Sequence, residues 1–327
     1  MRIVNAVLLC AVMVFLTVTG HAKDAGKDVV LGCAFTPLSA PVMIAERMGY
    51  FKKEGLDVKI IEFPSGKTAL KTMLEEGNIN MVTAAQGPVM FNSFKRSDYA
   101  IIAAMVSTDK NIKVLVNRDK GIKTPADLKG KKIGLTKGSG GQFFFGMFLT
   151  YNDLEPADVE IVDFEATELS RAISDGSVDA ICSWEPNIIN TQALLGEKAL
   201  LLPSKGIFRE DFYFVASRKF IENNPEILKR FLKAIDRAEK YLLKKSKKSI
   251  AIVSEWLKSD KESTAAILSV LNFELMLDQT ILVTLEDEAR WAIREGLTDK
   301  KEVPNYLDFI YMDALEDVKP EAVTIIR

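Results

Sequence analysis

The chain has 327 residues, 48% of them hydrophobic, with 43 Lys and Arg against 45 Asp and Glu, a formal net charge of −2. Charge this close to balance excludes the basic excess with which nucleic-acid binders neutralise phosphates. The single histidine is His21, so every later segment lacks the residue on which Ser-His-Asp and Cys-His catalysis, imidazole bases and imidazole metal ligands depend.

Arg2 opens a short positive segment, Ala6 to Thr19 is uncharged and mostly apolar, and Gly20-His21-Ala22 places small residues where a signal peptidase reads them. The expectation is an exported, periplasmic protein with a signal peptide over 1–22, cleaved after Ala22. An apolar run of 14 residues is short for a membrane span of about 20; an uncleaved N-terminal anchor is the alternative. Cys10 follows Leu9 and sits early, so it reads as part of the apolar run rather than as a lipid attachment point. The remaining residues, about 305 of them, suffice for two domains with a substantial core. Removing Arg2 leaves them at −3.

Short β-branched runs then alternate with helical patterns, the signature of α/β architecture with mainly parallel sheets. Val29 to Ala34 reads as a strand, Pro41 to Lys53 as a helix ended at Gly55, and Leu56 to Phe63 as a second strand. A helix over Lys67 to Glu76, a strand over Ile79 to Ala84, a helix over Gly87 to Ser93 and a strand over Tyr99 to Val106 complete a first unit. A second unit starts with a strand at Ile112 to Val116. It continues through strands at Lys131 to Thr136, Val159 to Phe164, Val178 to Trp184 and Ala199 to Leu202, with helices at Gln142 to Tyr151, Thr167 to Ser174 and Pro186 to Leu195. Phe212 to Ala216 is one more strand. From Pro225 the pattern is helical, with Leu228, Phe231, Leu232, Ile235 and Ala238 on one stripe. A tail of about 100 residues without strands of its own buries such a stripe only against an existing sheet. The chain therefore crosses to a second lobe near Ser107 to Ile112 and returns near Arg209 to Val215. The expected division is 23–110 plus 213–327 for lobe 1 and 111–212 for lobe 2. Cys33 and Cys182 lie in strand-like runs and read as buried free thiols, although export permits a disulfide.

Several ordered motifs carry a family resemblance. They are Pro41 to Val58, with Gly49-Tyr50-Phe51-Lys52-Lys53-Glu54-Gly55-Leu56-Asp57-Val58 at its core, then Pro64-Ser65-Gly66 and Leu128-Lys129-Gly130-Lys131-Lys132-Ile133-Gly134. Gly138-Ser139, Gly176-Ser177-Val178-Asp179-Ala180 and Trp184-Glu185-Pro186 follow. In this order they resemble the periplasmic substrate-binding proteins of ABC importers for aliphatic sulfonates, taurine and nitrate, with their thiamine-pyrimidine-precursor relatives. The resemblance implies the two-lobed type II periplasmic-binding-protein fold, the C-terminal helices packed on lobe 1, and a ligand held between lobes. It also implies delivery to a membrane permease. No cofactor, metal site or catalytic residue is expected, and a monomer is the default. A sensing module and a same-fold enzyme are the alternatives; the pyrimidine synthase of the family relies on an active-site histidine, which the chain beyond His21 lacks.

Independently, ligands of open α/β sheets settle beyond the carboxyl ends of the strands. That rule selects Phe35, Thr36 and Leu38, Ser65 and Gly66, Ala85 and Gln86, and Ser107 in the first lobe. In the second it selects Gly138, Ser139, Gly140 and Gly141 with Trp184 and Glu185. Glycines and hydroxyls before a helix suit an oxyanion, because free N–H groups and the helix dipole favour negative charge. Gly138 to Gly141 has neither the Lys of a phosphate-cradling NTPase loop nor dinucleotide spacing. Trp184 and Tyr213 add aromatic surface suited to a ring or alkyl tail rather than a bare inorganic ion; of Phe143 to Phe145, at most two can face a cleft. Glu185 has two readings, a contact to a ligand nitrogen or a cap on the helix after Pro186. The function expected is capture of a small organic molecule: a sulfonate, a pyrimidine-like compound or a related organic anion.

Overall fold

The computed structural model describes residues 28–204, 206–244 and 246–326; the expected leader and its cleavage site lie outside them. The first sheet is built from β1 (Asp28–Ala34), β2 (Asp57–Phe63), β3 (Met81–Ala85) and β4 (Tyr99–Thr108). These strands are connected through α1 (Ala40–Arg47), α2 (Tyr50–Lys53), α3 (Gly66–Glu76) and α4 (Gln86–Ser93). The single helix expected over Pro41 to Lys53 is two, because Gly49 takes φ +66° between them, a left-handed conformation open chiefly to glycine.

The second sheet follows. It contains β5 (Ile112–Asn117), β6 (Lys132–Leu135), β7 (Glu160–Asp163), β8 (Ala180–Trp184) and β9 (Ala199–Leu201), with α5 (Gly140–Tyr151), α6 (Leu169–Ser174) and α7 (Asn187–Leu195) between them. The chain then re-enters the first sheet as β10 (Glu210–Ser217). Next come α8 (Arg218–Asn223), α9 (Pro225–Leu242), α10 (Lys247–Leu257), α11 (Lys261–Ser269), β11 (Asn272–Met276), α12 (Gln279–Arg294) and α13 (Asp313–Val318).

The strand orders are β11-β4-β10-β3-β1-β2 and β7-β6-β8-β5-β9. Both sheets are mixed rather than mainly parallel. β1 runs parallel to β2 and β3, and β6 to β7 and β8, whereas β5, β10 and β11 pair antiparallel with their neighbours. The crossings explain this. β4 ends where the chain leaves and β10 begins where it returns, so Glu210 pairs with Thr108 and the two strands must run opposite ways. The same register sets the polarity that matters for function. Phe212 opposes Ala85 and Ile112 opposes Trp184, so the carboxyl ends of β3 and β8 both lie on the side of the crossings.

β11 corrects the expectation of a strandless tail. Its five residues bury Phe273, Leu275 and Met276 and extend the first sheet beyond β4. The stripe of α9 behaves as its periodicity requires: Leu228, Phe231, Leu232, Ile235 and Ala238 are fully buried. Phe231 stacks on Phe51 at 5.3 Å and meets Phe214 edge-on at 5.0 Å, welding the tail to α2 and β10. On the other flank, an alanine Cβ at Gly146 of α5 would lie 2.8 Å from Trp291 Nε1. A glycine is therefore what allows α12 to reach across to the second sheet's helix. Among the described residues no helix is long and apolar enough to cross a membrane.

Candidate functional site

Three helix starts converge where the two sheets face each other. Ser65 caps α3, its Oγ accepting from Thr68 N at 3.2 Å and sharing a 2.6 Å hydrogen bond with Thr68 Oγ1. Ser139 caps α5, accepting from Gly141 N at 3.2 Å and donating to Thr136 O at 2.6 Å. Ala85 precedes α4. Ser65→Ala, which removes one such cap, is expected to lower stability by about 1 kcal/mol in urea denaturation; an unchanged midpoint would remove the cap from the account.

Between these helix starts lies a cavity of about 30 Å³ within about 420 Å³ of space not filled by atoms. Of the residues selected from the sequence, Thr36, Leu38, Ser65, Gly66, Ala85, Ser139, Gly140 and Trp184 line it. The lining also includes Lys67, Glu210 and Phe212, which strand-tip reasoning passed over, together with Ala34, Pro64 and Pro88. Pro64 and Lys67 flank the selected Ser65-Gly66. Glu210 and Phe212 open the returning strand, where the sequence marks a crossing and a strand but points to Tyr213 in their place.

The other selected residues stand behind the wall. Gln86 fastens the returning strand, with Nε2 donating to Arg209 O at 2.9 Å and Oε1 accepting from Asp211 N at 2.7 Å. Ser107 opposes Asp211 in the sheet and accepts from Asn272 Nδ2 at 3.5 Å. Gly138 takes φ +70°, and its N–H donates to Gln142 Oε1 at 2.8 Å. Gly141 sits beneath the Trp184 ring, 3.6 Å from its Cβ position, and its carbonyl accepts from Cys182 Sγ at 3.4 Å. Phe35 packs half-buried on the first core, and Tyr213 is fully buried there. Phe143, Phe144 and Phe145 are all buried, Phe143 against Trp291 and Phe208. Glu185 takes the capping role: Oε2 accepts from Ile189 N at 3.0 Å and Oε1 from Lys113 Nζ at 2.5 Å. The thiols of Cys33 and Cys182 are both free and buried. Burial pushes Cys33 up to about 12 and raises Cys182 as well, so neither is a thiolate nucleophile.

Contacts across the cleft are few and specific. Lys67 Nζ donates to Lys137 O at 2.7 Å, and Thr36 Oγ1 to Glu185 O at 3.3 Å. Asn111, in the first crossing, donates from Nδ2 to Glu210 Oε2 at 2.6 Å and accepts from Glu185 N at 3.3 Å. The floor is acidic. Burial pushes Glu210 up to about 7, with the Asn111 hydrogen bond working against it and the Asp211 charge adding to it. Burial likewise pushes Asp211 up to about 6 despite the Arg209 guanidinium. Glu288 of α12, fully buried with neither carboxylate oxygen hydrogen-bonded among the described residues, is raised well above its ordinary value by burial and by Glu210 and Asp211.

Comparison with known proteins places this geometry. The family described as NMT1/THI5 like matches residues 36–249. A candidate aliphatic sulfonates-binding protein of Bacillus subtilis is 28% identical over 286 residues, 85% of this chain and 86% of that protein. A 4-amino-5-hydroxymethyl-2-methylpyrimidine phosphate synthase of Saccharomyces cerevisiae is 24% identical over 222 residues, 64% of each. In three dimensions the chain resembles the alkanesulfonate-binding protein SsuA from Xanthomonas axonopodis pv. citri bound to MOPS. The TM-score is 0.76 at 19% identity, over 88% of this chain and 98% of that one. The fold is that of the periplasmic binding proteins.

Proposed function

The chain belongs to the NMT1/THI5-like family, and from that premise we propose that it is a solute-binding receptor of an ABC importer. Lobe 1 (23–110 with 213–327) and lobe 2 (111–212) part and close about the crossings. A small organic molecule, a sulfonate, a pyrimidine-like compound or a related organic anion, lodges between them, and the closed form docks on a membrane permease. Export to the periplasm belongs to the same reading.

One observation carries it: a single cavity is walled by the strand ends and helix starts of both sheets, by Ser65 and Gly66 on one side and Ser139, Gly140 and Trp184 on the other. Oriented N–H groups favour an anionic oxygen there, and the Trp184 face suits an alkyl or ring portion. Micromolar capture needs about −8 kcal/mol, within reach of several charge-assisted hydrogen bonds at roughly 1.5–3 kcal/mol each.

Native mass spectrometry of freshly purified protein is expected to show one small-molecule adduct per chain. Calorimetry against alkanesulfonates, pyrimidines and aromatic acids is expected to give 1:1 binding, weakened about tenfold or more by Trp184→Ala. Neither adduct nor binding anywhere in the panel would end the receptor reading. The yeast relative favours a second reading, an enzyme of precursor synthesis, but no histidine lies among residues 28–326 to supply imidazole chemistry; turnover of a bound compound would restore it.

A further inference from the structure

We infer that the guest of this cleft carries a protonated nitrogen and that Glu210 Oε1 receives it, making Glu210 the residue that separates amino-bearing guests from their amine-free analogues. The inference rests on the receptor reading and narrows its ligand class.

The hydroxyls of the cleft are already committed. Ser65 Oγ is engaged by Thr68 N and Thr68 Oγ1, and Ser139 Oγ by Gly141 N and Thr136 O. Thr36 Oγ1 donates to Glu185 O. Besides the N–H groups of the helix starts, the charged side chains that line the cavity are Lys67 and Glu210. Lys67 Nζ uses one of its three N–H donors on Lys137 O. Glu210 is 5% exposed, and among the described residues its Oε2 accepts from Asn111 while Oε1 takes no hydrogen bond and no ion pair. Oε1 lies 3.9 Å from the Cβ position of Gly140, at the mouth of the α5 start. Lys67 Cε lies 3.8 Å from the Cβ position of Gly138, at the other end of the same loop. The loop thus has a cationic end and an anionic end.

A buried carboxylate with one oxygen open to a cavity is costly unless a partner arrives. The groups around Glu210 sharpen that demand. Asp211 on the same strand and Glu288 on α12 are both acidic, Arg209 is taken by Asp211 at 3.0 Å, and Lys67 stands at the far end of the loop. A bare organic anion would bring like charge to this corner. An ammonium or a protonated ring amine supplies the missing counter-charge and the donor at once. Glu210, pushed up to about 7, is part-protonated without a guest and ionises fully beside a cation.

The test is calorimetry at pH 7.5 with matched pairs: an ω-aminoalkanesulfonate against the alkanesulfonate of equal chain length, and an aminopyrimidine against the unsubstituted ring. Wild-type protein is expected to prefer an amino member by about thirtyfold, roughly 2 kcal/mol. Glu210→Gln keeps the shape and the Asn111 contact and is expected to reduce that preference below threefold, with a melting temperature at pH 7.5 no lower than the wild type's. Equal or tighter binding of the amine-free member, or a preference that survives in Glu210→Gln, overturns this assignment and leaves the receptor reading standing. If no member of any pair binds wild-type protein, both are overturned.

Discussion

Gly87→Ala is expected to weaken capture of any guest by at least a hundredfold while leaving the protein folded. An alanine Cβ at position 87 would lie 2.6 Å from Gly140 N, 2.8 Å from Ser139 C and 3.0 Å from Gly140 Cα. These are backbone atoms at the start of α5, held by the Ser139 cap, and cannot swing aside as a side-chain tip would. The obstruction exists only when α4 of the first sheet meets α5 of the second. Gly87 itself sits inside α4, where alanine stabilises a helix by up to about 1 kcal/mol relative to glycine. Folding and closure should therefore respond in opposite directions. A hundredfold loss corresponds to about 2.7 kcal/mol, within the cost of forcing an extra methyl into a packed contact. Calorimetry with the guest identified by mass spectrometry measures the loss. Small-angle scattering is expected to show that saturating guest compacts the wild type and not the variant. Affinity unchanged within threefold would mean that the α4–α5 contact is no part of the bound state.

The alternation that builds both sheets is legible in the sequence because β-branched runs and helical stripes have different periods. The strand-tip rule selected Thr36, Leu38, Ser65, Gly66, Ala85, Ser139, Gly140 and Trp184, which line one cavity, since a loop's place depends on which strand it follows rather than on long-range register. Where register decides, the sequence is silent. Phe212 and Tyr213 are neighbours on β10 and point to opposite faces; only the pairing of Phe212 with Ala85 sends Phe212 to the cleft and Tyr213 to the core. Glu185 could be settled only by Lys113, brought to it by the antiparallel pairing of β5 with β8. Glu210 stands in Arg209-Glu210-Asp211, three charged residues at the return crossing, and is buried where Asn111 of the other crossing bonds to it. β11 is five residues between helices, too short for its alternation to stand out.

The same acidic floor sets how stability follows pH. Asp211, Glu210 and Glu288 are all raised in the folded protein, two of them to about 6 and about 7 and Glu288 well above its ordinary value. A carboxyl raised by folding keeps a proton that the unfolded chain has already released. Its stabilisation is full below the unfolded pKa near 4 and is lost as pH climbs through the folded one. Asp98, Asp127, Asp175 and Asp260 are lowered, so their contribution is lost only as pH falls below about 4. The optimum is expected between the two windows, near pH 5. Above it each raised group contributes a slope of up to about 1.4 kcal/mol per pH unit. The three are coupled, and the combined loss between pH 5 and 8 is expected to reach about 3 kcal/mol or more in urea denaturation. Glu288→Gln removes the most deeply buried of the three charges. Its curve is expected to meet the wild type's near pH 5 and to lie above it at pH 8, because an amide never ionises in that pocket and its absent charge also eases Glu210 and Asp211. Two parallel curves would show that Glu288 does not titrate against the folded state. Saturation with an amino-bearing guest is expected to flatten the wild-type slope further, since its cation beside Glu210 offsets the charge that rising pH creates on the returning strand.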